Sequence, residues 1–318
     1  MKSFKTLLTA TASACALAGS VDSAMIEIDT SYVGDAGNAN DASGYGGVSY
    51  GYYVGTYEVT NSQYVSFLNA TGSTNAHGVY NSNMNNNWLG GIQQSGVSGS
   101  FTYSVKTGMG EKPVNYVSFW DAARFTNWLT TGGTESGVYN LDDVTRPTNG
   151  TIMRDATAWA TGGVAIASEN EWYKAAYYQP VDDGGASDSY WLYPTASDSI
   201  TTANANYGNS VGNARDVGSY SGDASYYGTF DQGGNVWEWN DTIAETSKRG
   251  LRGGAFNQSD VTIQSSYRFK WGPTLEGNLY GFRISSLAPI PEPSTYAAIV
   301  GCLALTLAIV RREGRGTL

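Results

Sequence analysis

Residues 230 to 256 constrain this chain more than any other stretch. They read Phe230-Asp231-Gln232-Gly233-Gly234-Asn235-Val236-Trp237-Glu238-Trp239-Asn240 and, after a short linker, Arg249-Gly250-Leu251-Arg252-Gly253-Gly254-Ala255-Phe256. In an extended segment alternate side chains face opposite ways, so Trp237 and Trp239 share one face and Glu238 takes the other. Each tryptophan carries a large apolar area that needs a core to pack against. Asp231 and Glu238 can close on one cation, with backbone carbonyls between them. An all-oxygen donor set of this kind suits Ca²⁺ rather than zinc or copper. The same residues also describe a tight turn with two structural tryptophans, because carboxylates beside glycines are common turn chemistry.

Composition narrows the function classes. Forty glycines, 23 tyrosines and nine tryptophans in 318 residues, with 14% charged residues, describe a loop-rich globular protein with an aromatic core. The net charge is -10, and residues 25 to 290 hold 13 Lys and Arg against 25 Asp and Glu. Such a balance argues against a nucleic-acid partner, whose phosphates reward lysine and arginine. The two cysteines, Cys15 and Cys302, both lie in apolar terminal segments. The globular part therefore has no disulfide, thiolate metal site or cysteine nucleophile. With His77 as the single histidine, a two- or three-histidine metal site and a histidine-based triad are excluded within one chain.

Residues 1 to 24 read as a secretory signal: Lys2 and Lys5, a weakly apolar run, then small residues ending at Ala18 or Ala24. Residues 25 to 47 form an N-terminal exported segment. Within it residues 32 to 46 are turn chemistry; Asp35, Asn38 and Asp41 are not at EF-hand spacing, so a solvent loop is expected. Residues 47 to 59 alternate as one or two strands. Three helix starts follow at Thr60, Ser118 and Ser168, each with an acceptor side chain three positions on: Gln63, Asp121 and Glu171. Capping accounts for Glu169 and Glu171 without chemistry. Gly72, Gly132 and Pro180 mark the stops. The asparagine-rich residues 81 to 87 read as a surface insertion, with His77 solvated beside it. Arg268 and Arg283 are expected to hold buried carboxylates.

Gly234-Asn235-Val236-Trp237-Glu238-Trp239, Arg252-Gly253-Gly254-Ala255-Phe256 and Gly281-Phe282-Arg283 resemble the formylglycine-generating enzyme, or sulfatase-modifying factor, family. So do the upstream pieces, in order: Tyr57-Glu58-Val59-Thr60-Asn61, Pro113-Val114-Asn115-Tyr116-Val117-Ser118 and Glu169-Asn170-Glu171-Trp172. The resemblance implies an irregular, loop-rich α+β fold related to C-type lectins over residues 48 to 286. It implies a structural calcium site from the Asp231 and Glu238 side chains and the Gly234 and Val236 carbonyls. It implies another from the Asn206 side chain and the Tyr207 carbonyl, with Asn209, Asn213 and Asp216 as further candidates. Catalytic members use two cysteines between the Gly-Gly motif and Gly-Phe-Arg to bind copper and oxidise a substrate cysteine. Residues 255 to 280 hold none here, and Gln258, Ser259 and Thr262 cannot replace thiolates for soft Cu(I). No copper and no formylglycine chemistry are expected.

Residues 287 to 318 form a separate module. Pro291-Glu292-Pro293 lies in a stiff linker, followed by an apolar helix over 294 to 310 and then Arg311, Arg312 and Arg315. This order resembles the PEP-CTERM sorting signal, which implies exosortase-type machinery as a partner. It also implies an initial inner-membrane anchor and display on the cell surface or in the extracellular matrix of a Gram-negative bacterium. The expected function is a binding or matrix module for a surface polysaccharide or protein. The alternative is an enzyme of divergent chemistry in the same groove.

Overall fold

A computed structural model describes residues 26–141 and 151–290. The signal over 1–24, the Pro291-Glu292-Pro293 motif and the helix expected over 294–310 lie outside the described residues. Among the described residues no helix is long and apolar enough to cross a membrane.

Two four-stranded sheets organise the mixed α/β fold. The first runs in the order β1 (Thr30–Val33), β2 (Tyr52–Gly55), β10 (Ile284–Ser286), β5 (Ala165–Ile166). The second runs β8 (Phe269–Trp271), β7 (Lys248–Arg252), β6 (Trp237–Glu245), β9 (Tyr280–Phe282). A hairpin of β3 (Ile92–Ser95) and β4 (Thr102–Val105) stands apart. The helices are α1 (Asn61–Thr71), α2 (Asn83–Asn86), α3 (Phe119–Thr131), α4 (Ala156–Ala160) and α5 (Glu169–Tyr177). Strand β1 pairs with β2, Ser31 against Val54, so the sheet already begins at residue 30.

The three longest helices among the described residues start where the hydroxyl signals place them. Thr60, Ser118 and Ser168 each accept from the backbone three residues on, and Gln63, Asp121 and Glu171 each return a bond to the cap backbone. These reciprocal bonds satisfy orphan N–H groups at each helix start. Ser168→Ala is expected to cost about 1 kcal/mol in a urea titration. A change below a few tenths would mean that the other contacts of α5 make the cap redundant. Gly132 ends α3 in the left-handed conformation at φ 79°.

Helix α3 is the centre of the larger core. Residues 119 to 128 are all buried, including Asp121, Arg124 and Asn127. A helix buried on every side needs its polar groups paired. Arg124 donates to both Glu135 oxygens at 2.8 and 3.0 Å, and Asn127 donates to the Thr134 and Tyr139 carbonyls. Trp120, Trp128, Trp172 and Trp239 are fully buried. The alternation of Trp237 and Trp239 is that of strand β6, as the spacing implied.

Two local expectations differ from the structure. His77 is three-quarters buried, with Nε2 3.6 Å from Glu135 Oε1, rather than solvated; the carboxylate that serves Arg124 draws it in. The 32–46 loop consists of turns but packs onto α5. Tyr173 and Tyr178 donate to Asp41 and Asp35, and Asn38 donates to the Gly46 carbonyl and Tyr190 hydroxyl at 2.8 Å. Its aspartates and asparagines serve turn and tyrosine contacts.

Candidate metal centre

Strand β6 pairs with β9 in parallel, Glu238 opposite Gly281. That register brings the carboxylate beside Arg283, the single residue between β9 and β10, where the chain passes from one sheet to the other. Arg283 Nε and Nη2 donate to the two Glu238 oxygens at 2.6 and 2.7 Å. Trp172 Nε1 adds a bond to Glu238 Oε2 at 2.8 Å. The remaining Arg283 donors reach the carbonyls of Gly55, Thr56 and Phe230. Neither charged side chain has any solvent exposure. The expectation that Arg283 holds a buried carboxylate is met, and the carboxylate is Glu238, also expected at calcium. Arg268 likewise forks onto Glu169 at 2.6 and 2.7 Å, and Arg252 shares that carboxylate at 2.9 Å. Glu169 and Glu171 therefore do more than cap α5. Glu171 is bound by Arg154 at 2.8 and 2.9 Å. Burial raises the Glu171 carboxyl, but the Arg154 charge and hydrogen bonds outweigh it and hold it down at about 2.

Asp231 lies close to the Glu238–Arg283 pair. It adopts φ 61° and accepts from the Gly218 N–H at 2.6 Å. Burial pushes its carboxyl up to about 6, with the Glu238 charge adding to the rise and Gly218 and Arg283 opposing it. Glu58, a residue without an assigned role in the sequence, completes this region. It is 1% exposed, and its carboxyl is raised by burial and by the charges of Asp231 and Glu238. Glu58 Oε1 accepts from Asn235 Nδ2 at 3.2 Å, while Oε2 has no hydrogen-bond partner among the described residues. Three carboxylates thus interact around one guanidinium, and two of them hold protons more tightly than usual. Tyr57-Glu58-Val59 carried the signal only as a motif fragment.

Asn206 and Tyr207 join the same region through a parallel bridge between Asn206 and Gly234. A Cβ at Gly234, whose φ is 86°, would stand 2.1 Å from the Asn206 carbonyl oxygen, so only glycine allows this approach. Asn206 Nδ2 donates to the Asn213 carbonyl at 2.9 Å and to Asn235 Oδ1 at 3.0 Å. Its buried Oδ1 has no hydrogen-bond partner among the described residues. The Tyr207 carbonyl accepts from the Ser210 N–H at 3.2 Å within a turn. Among the further candidates, Asn213 Oδ1 accepts from the Ala214 N–H, Asp216 pairs with Lys112 at 3.4 Å, and the Asn209 N–H donates to the Phe256 carbonyl. The structure brings Asn206, Gly234 and Asn235 together.

The donor set fits a hard cation in chemistry. It offers carboxylate, amide and carbonyl oxygens, two orphaned buried oxygens and an excess of negative charge. Among the described residues no three His, Cys, Asp or Glu side chains converge as a ready cluster, so any ligation here relies on backbone carbonyls.

Residues 255 to 280 run from buried Ala255 and Phe256 through a 3₁₀ turn at Asp260–Ile263 to β8 and β9. The Thr262 hydroxyl is spent on the Ser259 carbonyl at 2.8 Å, and Gln258 Nε2 reaches Asn257 Oδ1.

The comparisons with known proteins agree on this architecture. The crystal structure of CarF superposes with a TM-score of 0.55 at 20% identity, covering 83% of this chain and 99% of that one. Treponema denticola variable protein 1 gives a TM-score of 0.52 at 19% identity, covering 83% and 96%. At these identities the likeness is one of fold. No curated protein matches the chain. The family model described as sulfatase-modifying factor enzyme 1-like domain matches residues 35–286. With a match over most of its length, the chain belongs to the sulfatase-modifying factor enzyme 1-like domain family.

Proposed function

We propose that the chain is an exported, surface-sorted member of this family, stabilised by calcium, that acts as a binding or matrix module and lacks formylglycine-generating activity. The observation that carries the reading is the interval from Gly254 to Gly281. It holds no cysteine, and its Thr262 and Gln258 side chains are engaged in local hydrogen bonds. Copper-dependent oxidation of a thiol needs soft ligands that this interval lacks.

Calcium would be held by the side chains of Asp231 and Glu238 with the carbonyls of Gly234 and Val236. A second ion would take the Asn206 side chain and the Tyr207 carbonyl. The ion supplies fixed positive charge and no redox chemistry. Glu238 keeps Arg283 while sharing its remaining lone pairs, and Asp231 gains the countercharge that its burial calls for. Export rests on the signal over 1–24. Sorting by exosortase-type machinery rests on Pro291-Glu292-Pro293 with the apolar 294–310 segment and the arginines after it. The ligand is a surface polysaccharide or another surface protein.

Elemental analysis of the purified full chain, paired with incubation of a cysteine-containing sulfatase peptide under oxygen and copper, tests this reading. Bound calcium without aldehyde formation is the expected result. Stoichiometric copper with aldehyde product would overturn it.

A further inference from the structure

A cavity of about 760 Å³ lies between the end of β1, the turn after α5 and residues 226–227, away from the Glu238–Arg283 pair. Its size falls within the range of small-ligand sites. Two tyrosine rings stand open on it: Tyr32 is 57% exposed and Tyr226 39%. Both are braced from behind. Tyr32 lies 5.2 Å from the Tyr53 ring and Tyr226 5.0 Å from Tyr227. Exposed aromatic platforms that do not have to be ordered on binding keep the entropic cost of association low.

The polar lining is equally fixed. The Tyr226 hydroxyl donates to Asp183 Oδ2 at 2.6 Å, and the Tyr178 hydroxyl donates to Asp35 Oδ2. Each carboxylate is thereby tied through one oxygen, and its other oxygen has no hydrogen bond within the described residues. Beneath the cavity Lys174 Nζ donates to the Gly34 and Asp35 carbonyls, both at 2.7 Å, which anchors the loop that carries Asp35. Asp182 adds a third carboxylate, and among the described residues no lysine or arginine lines the cavity.

We propose that this cleft binds a glycan built of neutral or amino-bearing sugar units. Such a ligand deepens the binding-module reading and rests on it. A sugar ring presents an apolar face of C–H groups and an edge of hydroxyl donors. Tyr32 and Tyr226 supply flat surfaces for the first. The free oxygens of Asp35, Asp183 and Asp182 accept from the second, as acceptor-only groups must. Three carboxylates, with no base among the described lining residues, repel uronic-acid and phosphorylated chains. An amine on the sugar gains from the same charge.

The test is calorimetric titration of the full chain with a neutral glucan oligosaccharide, a chitosan oligomer, a polyuronate and spermidine. Binding of the first two and not of the polyuronate is expected. Tyr32→Ala and Tyr226→Ala, at exposed positions where folding is least affected, should each weaken binding about tenfold. Asp183→Asn, which keeps an acceptor for Tyr226, should weaken it as well. Glycan binding that all three variants retain overturns the cleft and leaves the binding-module reading standing. Preference for the polyuronate, or for spermidine over both sugars, overturns the glycan assignment. Silence in every arm overturns the cleft and the polysaccharide form of the module together.

Discussion

Arg283→Met should lower the unfolding free energy by about 3–5 kcal/mol, because it strands a buried charge. Glu238 would keep one tryptophan N–H and lose both guanidinium bonds, while the Gly55 and Phe230 carbonyls would lose donors at 2.9 Å. The loss is a large fraction of the ~5–15 kcal/mol that holds a typical domain together. Arg283→Lys should recover little, since one ammonium cannot serve acceptors arranged for a planar fork. Arg268→Met should cost much less: Arg268 is about a quarter exposed, and Arg252 remains on Glu169. Urea unfolding midpoints of the three variants check the order. A loss below ~1 kcal/mol for Arg283→Met, or equal losses at Arg268 and Arg283, would show that the pair does not brace the two sheets.

The second large effect is linked to calcium and pH. The Asp231 carboxyl sits at about 6 in the folded chain against 3.8 as an ordinary aspartate. A raised carboxyl means that the folded state binds the proton more tightly than the unfolded chain. Its contribution to stability is therefore complete below pH ~4 and lost as pH rises through ~6. For metal-free protein this window carries up to ~3 kcal/mol from Asp231, and Glu58, raised for the same reason, adds in the same direction. Calcium at a hundredfold over its dissociation constant should restore about 2.7 kcal/mol at neutral pH and flatten the profile. Asp231→Asn should abolish the calcium response while leaving the metal-free protein at pH 7 as stable as before or more so. Melting curves from pH 4 to 8, with calcium and with chelator, decide the matter. A profile that rises from pH 4 to 6 without metal, or a calcium response that survives Asp231→Asn, would remove Asp231 from the centre.

How much of this was legible in the chain follows from the range of each interaction. The caps at Thr60, Ser118 and Ser168 join residues three apart, so spacing alone reveals them. The alternation of Trp237 and Trp239 is equally local. The need for buried partners at Arg268 and Arg283 followed from residue type, but the carboxylate that answers Arg283 depends on the parallel β6–β9 register and the one that answers Arg268 lies on α5, and nothing local encodes a pairing across more than 40 residues. Glu58 had no role assigned beyond its motif for a related reason: it sits in a strand-like run, and its importance arises only from the distant Asp231, Asn235 and Glu238. The 32–46 loop read as solvated because its aspartates look alike whether water or tyrosine hydroxyls serve them. The segments expected to export and anchor the chain lie outside the described residues.

Strand β10 has a mechanical consequence. It lies between β2 and β5, with Ser285 opposite both Val54 and Ala165. A pull on the C-terminal end therefore does not peel an edge strand. It loads two ladders at once and then meets Arg283, whose side chain grips the β2 end and β6. If the chain is tethered to a surface through that end, tension enters at the middle of the sheet and is shared between neighbours.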